Sequence, residues 1–338
     1  MKNPKLIIAV IISLVVSLGF AQSDSLTFEQ VLELAQRNSA SLATANTDYA
    51  SATRDLSRIQ ADPLALRIPI MQAEQALQRA ANSLAAARLS AGNTAATAFA
   101  TAKEKDSSLR LAQMNLAIAQ TTLEATNIRL QAGAATKLEL EKAQNSLASA
   151  NNQLVDAQKA RSLAYDNLRS LLGISGEFVL SDDVAIAEIP SLETVLAGLA
   201  QNSQIINSQH SLALAQAQLA ATDNAFSARK DIEAAKDRVN NASTSLTETK
   251  RSLEINIKQS YNAVLAAQGR LQTAQASLGT AQSDYNAQQL RYNSGSISPL
   301  QLAQSELALA NSQAQLEIAR HALAASLRQL DLAILGAR

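Results

Sequence analysis

The sequence contains no cysteine and no tryptophan, and aromatic residues make up only 3% of its 338 residues. Without cysteine, the chain forms no disulfide bond and offers no N-terminal cysteine for lipid attachment. The hydrophobic fraction is nevertheless 47%, and most of it is alanine and leucine. A compact globular core needs bulkier side chains, whereas these residues suit long helices that pack closely. We therefore predict an elongated, mainly helical molecule.

Charge and histidine content exclude further classes of function. The formal net charge is +0, and lysine and arginine do not cluster, so we predict no nucleic-acid partner. We identify no carboxylate and no second histidine at ligand spacing from either of the two histidines, His210 and His321. The sequence also lacks a glycine-rich phosphate loop and a nucleophilic serine motif. We predict neither an enzyme nor a cofactor or metal site.

The first 21 residues have the composition of a signal peptide. An apolar run at residues 6–20 follows Lys2 and Lys5, and small residues precede the expected cleavage after Ala21. The alternative is an uncleaved membrane anchor, but the run is shorter than the roughly 20 residues that span a bilayer. We therefore predict secretion across the inner membrane, with a mature chain that starts at Gln22.

Two short segments, Ile128–Leu140 and Leu290–Leu302, share the pattern of a turn between two helices. In each segment an arginine precedes a glycine, which readily adopts the left-handed conformation that ends a helix. In the second segment Pro299 follows, and proline fits the first turn of a new helix. The equivalent positions are Arg129 and Arg291, Gly133 and Gly295, and Leu138 and Leu300. Two matching turns indicate an internal duplication.

The helices on both sides of each turn carry apolar or small residues at alternating spacings of three and four. Before the first turn, these seam positions are Leu109, Ala112, Leu116, Ala119, Leu123, Thr126 and Leu130. A sustained period of 3.5 residues produces a left-handed coiled coil, and alanine in the seam allows close approach. We predict two antiparallel coiled-coil hairpins. Arg161 is the one charged seam residue, which we interpret as a side chain reaching solvent at an end of the bundle.

The complete plan occurs twice, with a first repeat at residues 22–173 and a second at 191–338. The first turn lies near 131–137 and the second near 293–299. Between the repeats, residues 174–190 form a linker with two short extended pieces.

Each repeat is predicted to contain a shorter helix, a connection, a very long helix, the turn and a return helix. In the first repeat, a single helix should run from Phe28 to Gln60, followed by a proline-marked loop at 61–69. The second repeat should have a corresponding helix that ends near Ala221 and a connection at 222–227.

This duplicated plan, the opening segment 26–39 and the turn at 291–302 resemble the TolC-like outer-membrane efflux protein family. In that family, three chains form an outer-membrane β-barrel that continues into a long periplasmic tube of helices. The periplasmic turns meet an adaptor protein, and an inner-membrane pump feeds the duct. The resemblance implies a homotrimer with these partners. It also implies adaptor-contact or tip-shaping roles for Arg129, Gly133, Leu138, Arg291, Gly295 and Leu300.

Two features depart from the family pattern. The connections at 61–69 and 222–227 are too short for pairs of membrane strands of about 9 to 11 residues each. We therefore predict an all-α protein with minor strands near 177–187 and no transmembrane β-barrel. Where well-known members have aspartates at the periplasmic mouth, this chain has Gln301 and Gln304, so an acidic gate would depend on Glu139. An acidic residue just after a turn also complements the helix dipole, which is the simpler interpretation.

These features together predict an envelope protein of the periplasm or outer membrane. Its predicted function is a trimeric helical duct for efflux or export that works with an adaptor and an inner-membrane pump. The alternative is a coiled-coil spacer or scaffold that links the layers of the cell envelope without transport.

Overall fold

The structure is a computed structural model that describes residues 24–181 and 183–336, so the predicted signal peptide lies outside the described residues. The elements in this part of the chain are β1 (Asp24–Leu26), α1 (Phe28–Arg37), α2 (Ala40–Gln60), α3 (Arg67–Gln131), α4 (Lys137–Leu172), β2 (Phe178–Leu180), α5 (Leu192–Ala197), α6 (Ser203–Thr222), α7 (Arg229–Asn293) and α8 (Pro299–Leu335). A 3-10 turn at Gly198–Gln201 connects α5 to α6. The predicted helical fold with two long hairpins is confirmed.

The two longest helices, α3 and α7, have 65 residues each. At about 1.5 Å per residue, each is about 98 Å long. The return helices α4 and α8 are shorter, at 36 and 37 residues. Helix α3 begins at Arg67, inside the loop predicted at 61–69, because Pro69 lies in the first turn, where its missing N–H costs no hydrogen bond. In the described ranges, no helix combines the length and the apolar character that crossing a membrane requires.

The prediction of one continuous helix from Phe28 to Gln60 is wrong, because the chain breaks at Asn38 and Ser39. The Ser39 hydroxyl accepts a hydrogen bond from the Leu42 backbone N–H at 3.3 Å and so caps the start of α2. The Asn38 side-chain amide donates to the Leu171 carbonyl at 3.0 Å, near the end of α4. This break therefore ties the start of the first repeat to its end.

The second repeat has the same break, at Asn202. Its side-chain oxygen caps α6 by accepting from the Gln204 N–H at 2.9 Å. Its amide nitrogen donates to the carbonyls of Ala333 and Ile334 at 3.0 Å each, near the end of α8. Asn202 is fully buried, whereas Asn38 is exposed. Gly336 lies against this cap with a φ of +72°, and a Cβ there would meet the Ser203 hydroxyl oxygen at 2.6 Å.

The linker contributes one of the two strands that were predicted from it. Strand β2 pairs in parallel with β1, with Ser25 opposite Val179. The second predicted piece, at 184–186, is not a strand. Strand β1 was not predicted, because three residues are too few to show an alternating pattern.

The broad part of the core lies away from the turns. One buried cluster forms around Val31, Phe99 and Leu168, where α1 and the linker pack on α3 and α4. The second forms around Val195, Ile257 and Leu330, where α5 packs on α7 and α8. Towards the turns, the predicted seams are covered: every seam position from Leu109 to Leu130 is buried or half-buried.

The interpretation of Arg161 as a side chain at an end of the bundle is wrong. Its Nε lies 2.5 Å from Oδ1 of Asp106 on α3, and its guanidinium lies 4.4 Å from the centre of the Tyr165 ring. The Tyr165 hydroxyl donates to the second Asp106 oxygen at 2.6 Å. These contacts raise the pKa of Arg161, mainly through the hydrogen bond to Asp106. The charge in the seam therefore has a partner on the facing helix.

Helices α3 and α8 connect the two repeats. They run antiparallel, since Arg110 Nη2 lies 3.0 Å from Gln313 Oε1, while Arg328 Nε lies 3.3 Å from Oδ1 of the earlier residue Asn93. Because of this antiparallel pairing, both turns lie at the same end of the molecule. In the half of the molecule that carries the turns, α4 packs on α3 and α7 packs on α8. The four helices therefore form an open layer in the order α4, α3, α8, α7.

Candidate functional site: the two hairpin tips

The first turn, which we call tip 1, comprises residues 129–139. Gly133 has a φ of +72°, in the left-handed region where glycine is favoured. Its N–H donates to the Leu130 carbonyl at 3.0 Å, and the next N–H, of Ala134, donates to the Arg129 carbonyl at 2.7 Å. These two hydrogen bonds satisfy carbonyls that the end of α3 would leave without partners. Gly133 thus shapes the tip, as its position in the sequence predicts.

Helix α4 then begins with a capping box between Thr136 and Glu139. The Glu139 N–H donates to the Thr136 hydroxyl at 3.2 Å, and the Thr136 N–H donates to the Glu139 carboxylate at 2.6 Å. The pKa of Glu139 is lowered, chiefly by the hydrogen bond from the Thr136 backbone, with smaller effects from Arg129 and Lys142. Glu139 is therefore ionised and held at the start of α4.

The second turn, tip 2, comprises residues 291–301 and repeats this geometry. Gly295 has a φ of +74°, and the Ser296 N–H donates to the Arg291 carbonyl at 2.8 Å. Ser298 and Gln301 form the capping box: the Gln301 N–H donates to the Ser298 hydroxyl at 3.2 Å, and the Ser298 N–H donates to Gln301 Oε1 at 2.9 Å. Gln301 therefore does in tip 2 what Glu139 does in tip 1, without the charge.

The two tip arginines differ in their contacts. Arg129 Nη2 donates to the Ala134 carbonyl at 3.1 Å and lies 3.8 Å from a Glu139 oxygen. Arg291, with the neutral Gln301 in place of Glu139, makes no side-chain hydrogen bond or ion pair to other residues in the described ranges. In tip 1 the positive charge of Arg129 thus has a partner within the turn. In tip 2 the positive charge of Arg291 has no partner within the described ranges.

Apolar side chains surround both arginines. Ile128 and Leu290, each one residue before its arginine, are strongly exposed, and so is Leu138 in tip 1. Its equivalent Leu300 is half-buried. Exposed aliphatic side chains beside a guanidinium are typical of protein contact surfaces. The structure thus places three of the six predicted residues in each tip, and their roles in shaping the tips or contacting an adaptor stay predictions.

The three residues predicted to line a periplasmic mouth have different local settings. Glu139 and Gln301 are engaged in the capping boxes, and Gln304 is an exposed residue one turn further along α8. The simpler interpretation that the sequence offered, an acidic residue that complements the helix dipole, agrees with the position of Glu139 in the first turn of α4; the capping boxes were not predicted. A mouth formed by these residues would require further copies of the chain, so it stays a prediction.

Sequence reasoning missed a polar network around His321, far from the tips. The imidazole is only 4% exposed; its Nδ1 lies 2.9 Å from Glu104 Oε1 on α3, and its Nε2 lies 2.8 Å from Asp183 Oδ1 in the linker. Burial alone favours the neutral ring, but the two hydrogen-bonded carboxylates outweigh it and raise the pKa of His321 to about 9. One signal was present in the sequence: Glu317 precedes His321 by four residues, on the same helix face.

These observations define a class: a duplicated protein of long coiled-coil hairpins, with two similar tips at one end and no catalytic arrangement at either tip. The chain belongs to the outer membrane efflux protein family, whose model matches residues 65–174 and 223–336. These two ranges make up more than half of the chain and include both tips. The resemblance found in the sequence is therefore confirmed.

Solved structures of channels have the same fold. The CmeC outer membrane channel of Campylobacter jejuni is 15% identical, with 91% of this chain and 85% of that chain covered and a TM-score of 0.64. The outer membrane protein VceC of Vibrio cholerae is 16% identical, with 92% and 96% covered and a TM-score of 0.60. The MtrE outer membrane channel of Neisseria gonorrhoeae is 15% identical, with 91% and 89% covered and a TM-score of 0.53. No curated protein sequence matches the chain.

Proposed function

We propose that three copies of this chain close into a helical duct of the cell envelope, which serves efflux or export together with a periplasmic adaptor and an inner-membrane pump. The observation that carries the proposal is the open layer of α4, α3, α8 and α7 towards the tips, in which the outer helices α4 and α7 each have one neighbour within the layer. Family membership and the likeness to the channels CmeC and MtrE support a duct as the product of assembly.

Both edges of the layer expose large apolar side chains. On α4, Val155 and Leu163 are exposed; on α7, Ile255 and Leu265 are exposed. Water contact with such side chains is unfavourable by about 25 cal/mol per Å² of apolar surface. Burying one edge against the other edge of a neighbouring copy removes this cost. A head-to-tail contact of this kind produces a ring when the rotation between copies closes, and the proposed duct requires it to close after three copies.

Leu163 and Leu265 both lie near the height of His321 along the bundle. Leu163 follows Arg161, which pairs with Asp106 of α3. This aspartate is two residues from Glu104, a partner of His321. Leu265 follows Val264, which belongs to the same buried cluster as Leu323 of α8, two residues from His321. Each leucine therefore lies within about two helical turns of His321 along the axis.

The exposed side chains at the end opposite the tips support an orientation for the duct. Leu64, Leu66 and Phe226 are strongly exposed in the two connections, and Phe226 is 99% exposed. Residues from the start of α3 and the end of α6, including Leu66 and Ala221, line one groove, so the two connections are neighbours. An apolar patch of this kind suits an apolar surrounding. We place this end at the outer membrane and the tips at the adaptor.

Cysteine cross-linking tests the ring, because the native chain has no cysteine. A double L163C/L265C variant, treated in the envelope with a short bismaleimide, should give covalent dimers and trimers and no larger species. Each single variant should stay monomeric on a denaturing gel, because α4 meets α7 and not another α4. Monomers alone from the double variant, or a ladder that extends beyond trimers, would overturn the proposal.

A deletion strain separates transport from a purely structural role. We expect increased sensitivity to dyes and drugs with normal envelope morphology, restored by the intact gene. The alternative of a spacer or scaffold predicts the reverse: detached envelope layers with unchanged sensitivity. If a variant cross-links as a trimer but fails to restore resistance, the substituted residue is needed for docking to a partner protein. R291A is the first candidate for such a variant.

A further inference from the structure

The polar network around His321 joins three segments that are far apart in the sequence. Glu104 comes from α3, Asp183 from the linker, and Glu317 and His321 from α8. One ligand atom from each of Asp183, Glu317 and His321 lies within 4.8 Å of the other two. Glu317 is held in place by a hydrogen bond from the Ser107 hydroxyl on α3. Facing donor atoms from separate segments are therefore already assembled.

We propose that Asp183, Glu317 and His321 bind a divalent first-row transition metal ion such as Zn²⁺. One imidazole nitrogen and two carboxylate oxygens match the donor types that zinc accepts in proteins. The site lies beside the middle of the helical bundle and involves none of the tip residues. It is independent of the proposed duct, since it is complete within one chain.

Glu104 gives the imidazole the orientation that a metal ligand needs. A metal-bound histidine usually donates its other ring N–H to a carboxylate, which fixes the tautomer and makes the ligand nitrogen more basic. Here Glu104 Oε1 lies 2.9 Å from Nδ1 and can accept that proton, so Nε2 is the nitrogen directed towards Asp183. Arg320 Nη1 orients Asp183 from outside, at 3.3 Å from its second oxygen.

The charges of the network favour a dication. Glu104, Asp183 and Glu317 bring three carboxylates to the group, whereas Arg320 brings one guanidinium. A histidine that ligates a metal through Nε2 is neutral, so two negative charges are left to balance in a partly buried setting, where unpaired charge is costly. A divalent ion supplies two positive charges and makes the group neutral.

The required movement is within the reach of side-chain rotation. Metal–ligand bonds of about 2.1 Å at the tetrahedral angle hold neighbouring ligand atoms about 3.4 Å apart. The hydrogen bond from Nε2 to Asp183 spans 2.8 Å, so these atoms need to separate by roughly half an ångström. The three ligand atoms lie within 4.8 Å of one another, so any other pair needs to close by about 1.4 Å at most. Asp183 lies in the linker, outside any helix, and its side chain is partly exposed. Water would take the remaining coordination position.

Isothermal titration of tag-free mature protein, stripped with EDTA, tests the site with ZnCl₂ as the probe. We expect one zinc ion per chain and a rise in the melting temperature, since a ligand bound only by the folded state stabilises it. Titration with CoCl₂ should produce visible absorption bands of a four-coordinate ion. Absence of saturable binding at one ion per chain would overturn the proposal.

Two variants and one control assign the ligands. E317Q keeps the contacts of His321 with Glu104 and Asp183, so the protein should fold while zinc affinity falls at least tenfold. H321Q should abolish the cobalt bands. H210Q is the matched control, because His210 on α6 is the other histidine of the chain, and it should bind zinc like the unmodified protein. If E317Q and H321Q both bind zinc as tightly as H210Q, the ion is held elsewhere and the proposal is wrong.

Discussion

The glycines at the tips allow a test of what shapes them. A Cβ added at Gly133 or Gly295 would meet no atom within 4 Å, so an alanine there creates no steric clash with other residues. The only cost is the left-handed backbone, with φ of +72° and +74°, which an L-residue adopts at about 1 to 2 kcal/mol. Gly279 provides the matched control: a Cβ there also meets nothing, but this glycine lies inside α7.

We therefore expect alanine at Gly295 and alanine at Gly279 to change the free energy of unfolding in opposite directions. G295A should lower the free energy of unfolding by about 1 to 2 kcal/mol, whereas G279A should raise it by roughly 1 kcal/mol because alanine is the better helix former. G295N should fall between them, since asparagine tolerates the left-handed region. Urea denaturation followed by far-UV circular dichroism measures all three. If G295A is as stable as G279A, the tip does not depend on the left-handed glycine and our account of it fails.

Three further predictions concern the body of the molecule and use the same denaturation assay. I257A should lower the free energy of unfolding by about 2 to 5 kcal/mol because it opens a cavity at a fully buried position. I255A, at a 49% exposed position, should change it by less than about 1 kcal/mol. Equal effects of the two substitutions would contradict the assigned core. N202A should cost about 1 to 3 kcal/mol because it removes the two hydrogen bonds from a fully buried side chain to the carbonyls of Ala333 and Ile334, and clearly more than N38A, whose site is exposed. A larger loss for N38A would reverse the assigned burial. Y165F should cost about 1 kcal/mol or slightly more through loss of one hydrogen bond to a carboxylate, and an unchanged stability would show that Asp106 needs no second donor.

The tips and seams were predictable because their signals are local. Gly133 and Gly295 end helices through their own backbone freedom, and Thr136 and Ser298 cap helices through N–H groups three residues away. The seam is a periodic signal that accumulates over several turns of helix. In both cases the interaction that decides the structure lies within a few residues along the chain, so one sequence suffices to detect it.

The missed features depend on partners that are distant in the sequence. The break at Asn38 is stabilised by a carbonyl 133 residues away, and the sequence around it otherwise favours helix. Strand β1 exists only because β2 pairs with it across the first repeat. The contact from Arg161 to Asp106 reaches another helix, and the His321 network reaches three segments. Local patterns do not identify partners on other segments, and a composition with two histidines gives no indication that one of them is buried between two carboxylates.

The two repeats have diverged at their tips while keeping the same backbone. In tip 1, Glu139 closes the capping box and also neutralises Arg129, so both charges are used within the turn. In tip 2, Gln301 closes the same box without a charge, and Arg291 keeps its positive charge for contacts outside the turn. The capping box therefore requires only that the side chain at this position has a suitable acceptor oxygen. The choice between glutamate and glutamine decides instead whether the neighbouring arginine has an ion-pair partner within its own turn, which Arg129 has and Arg291, among the described residues, does not.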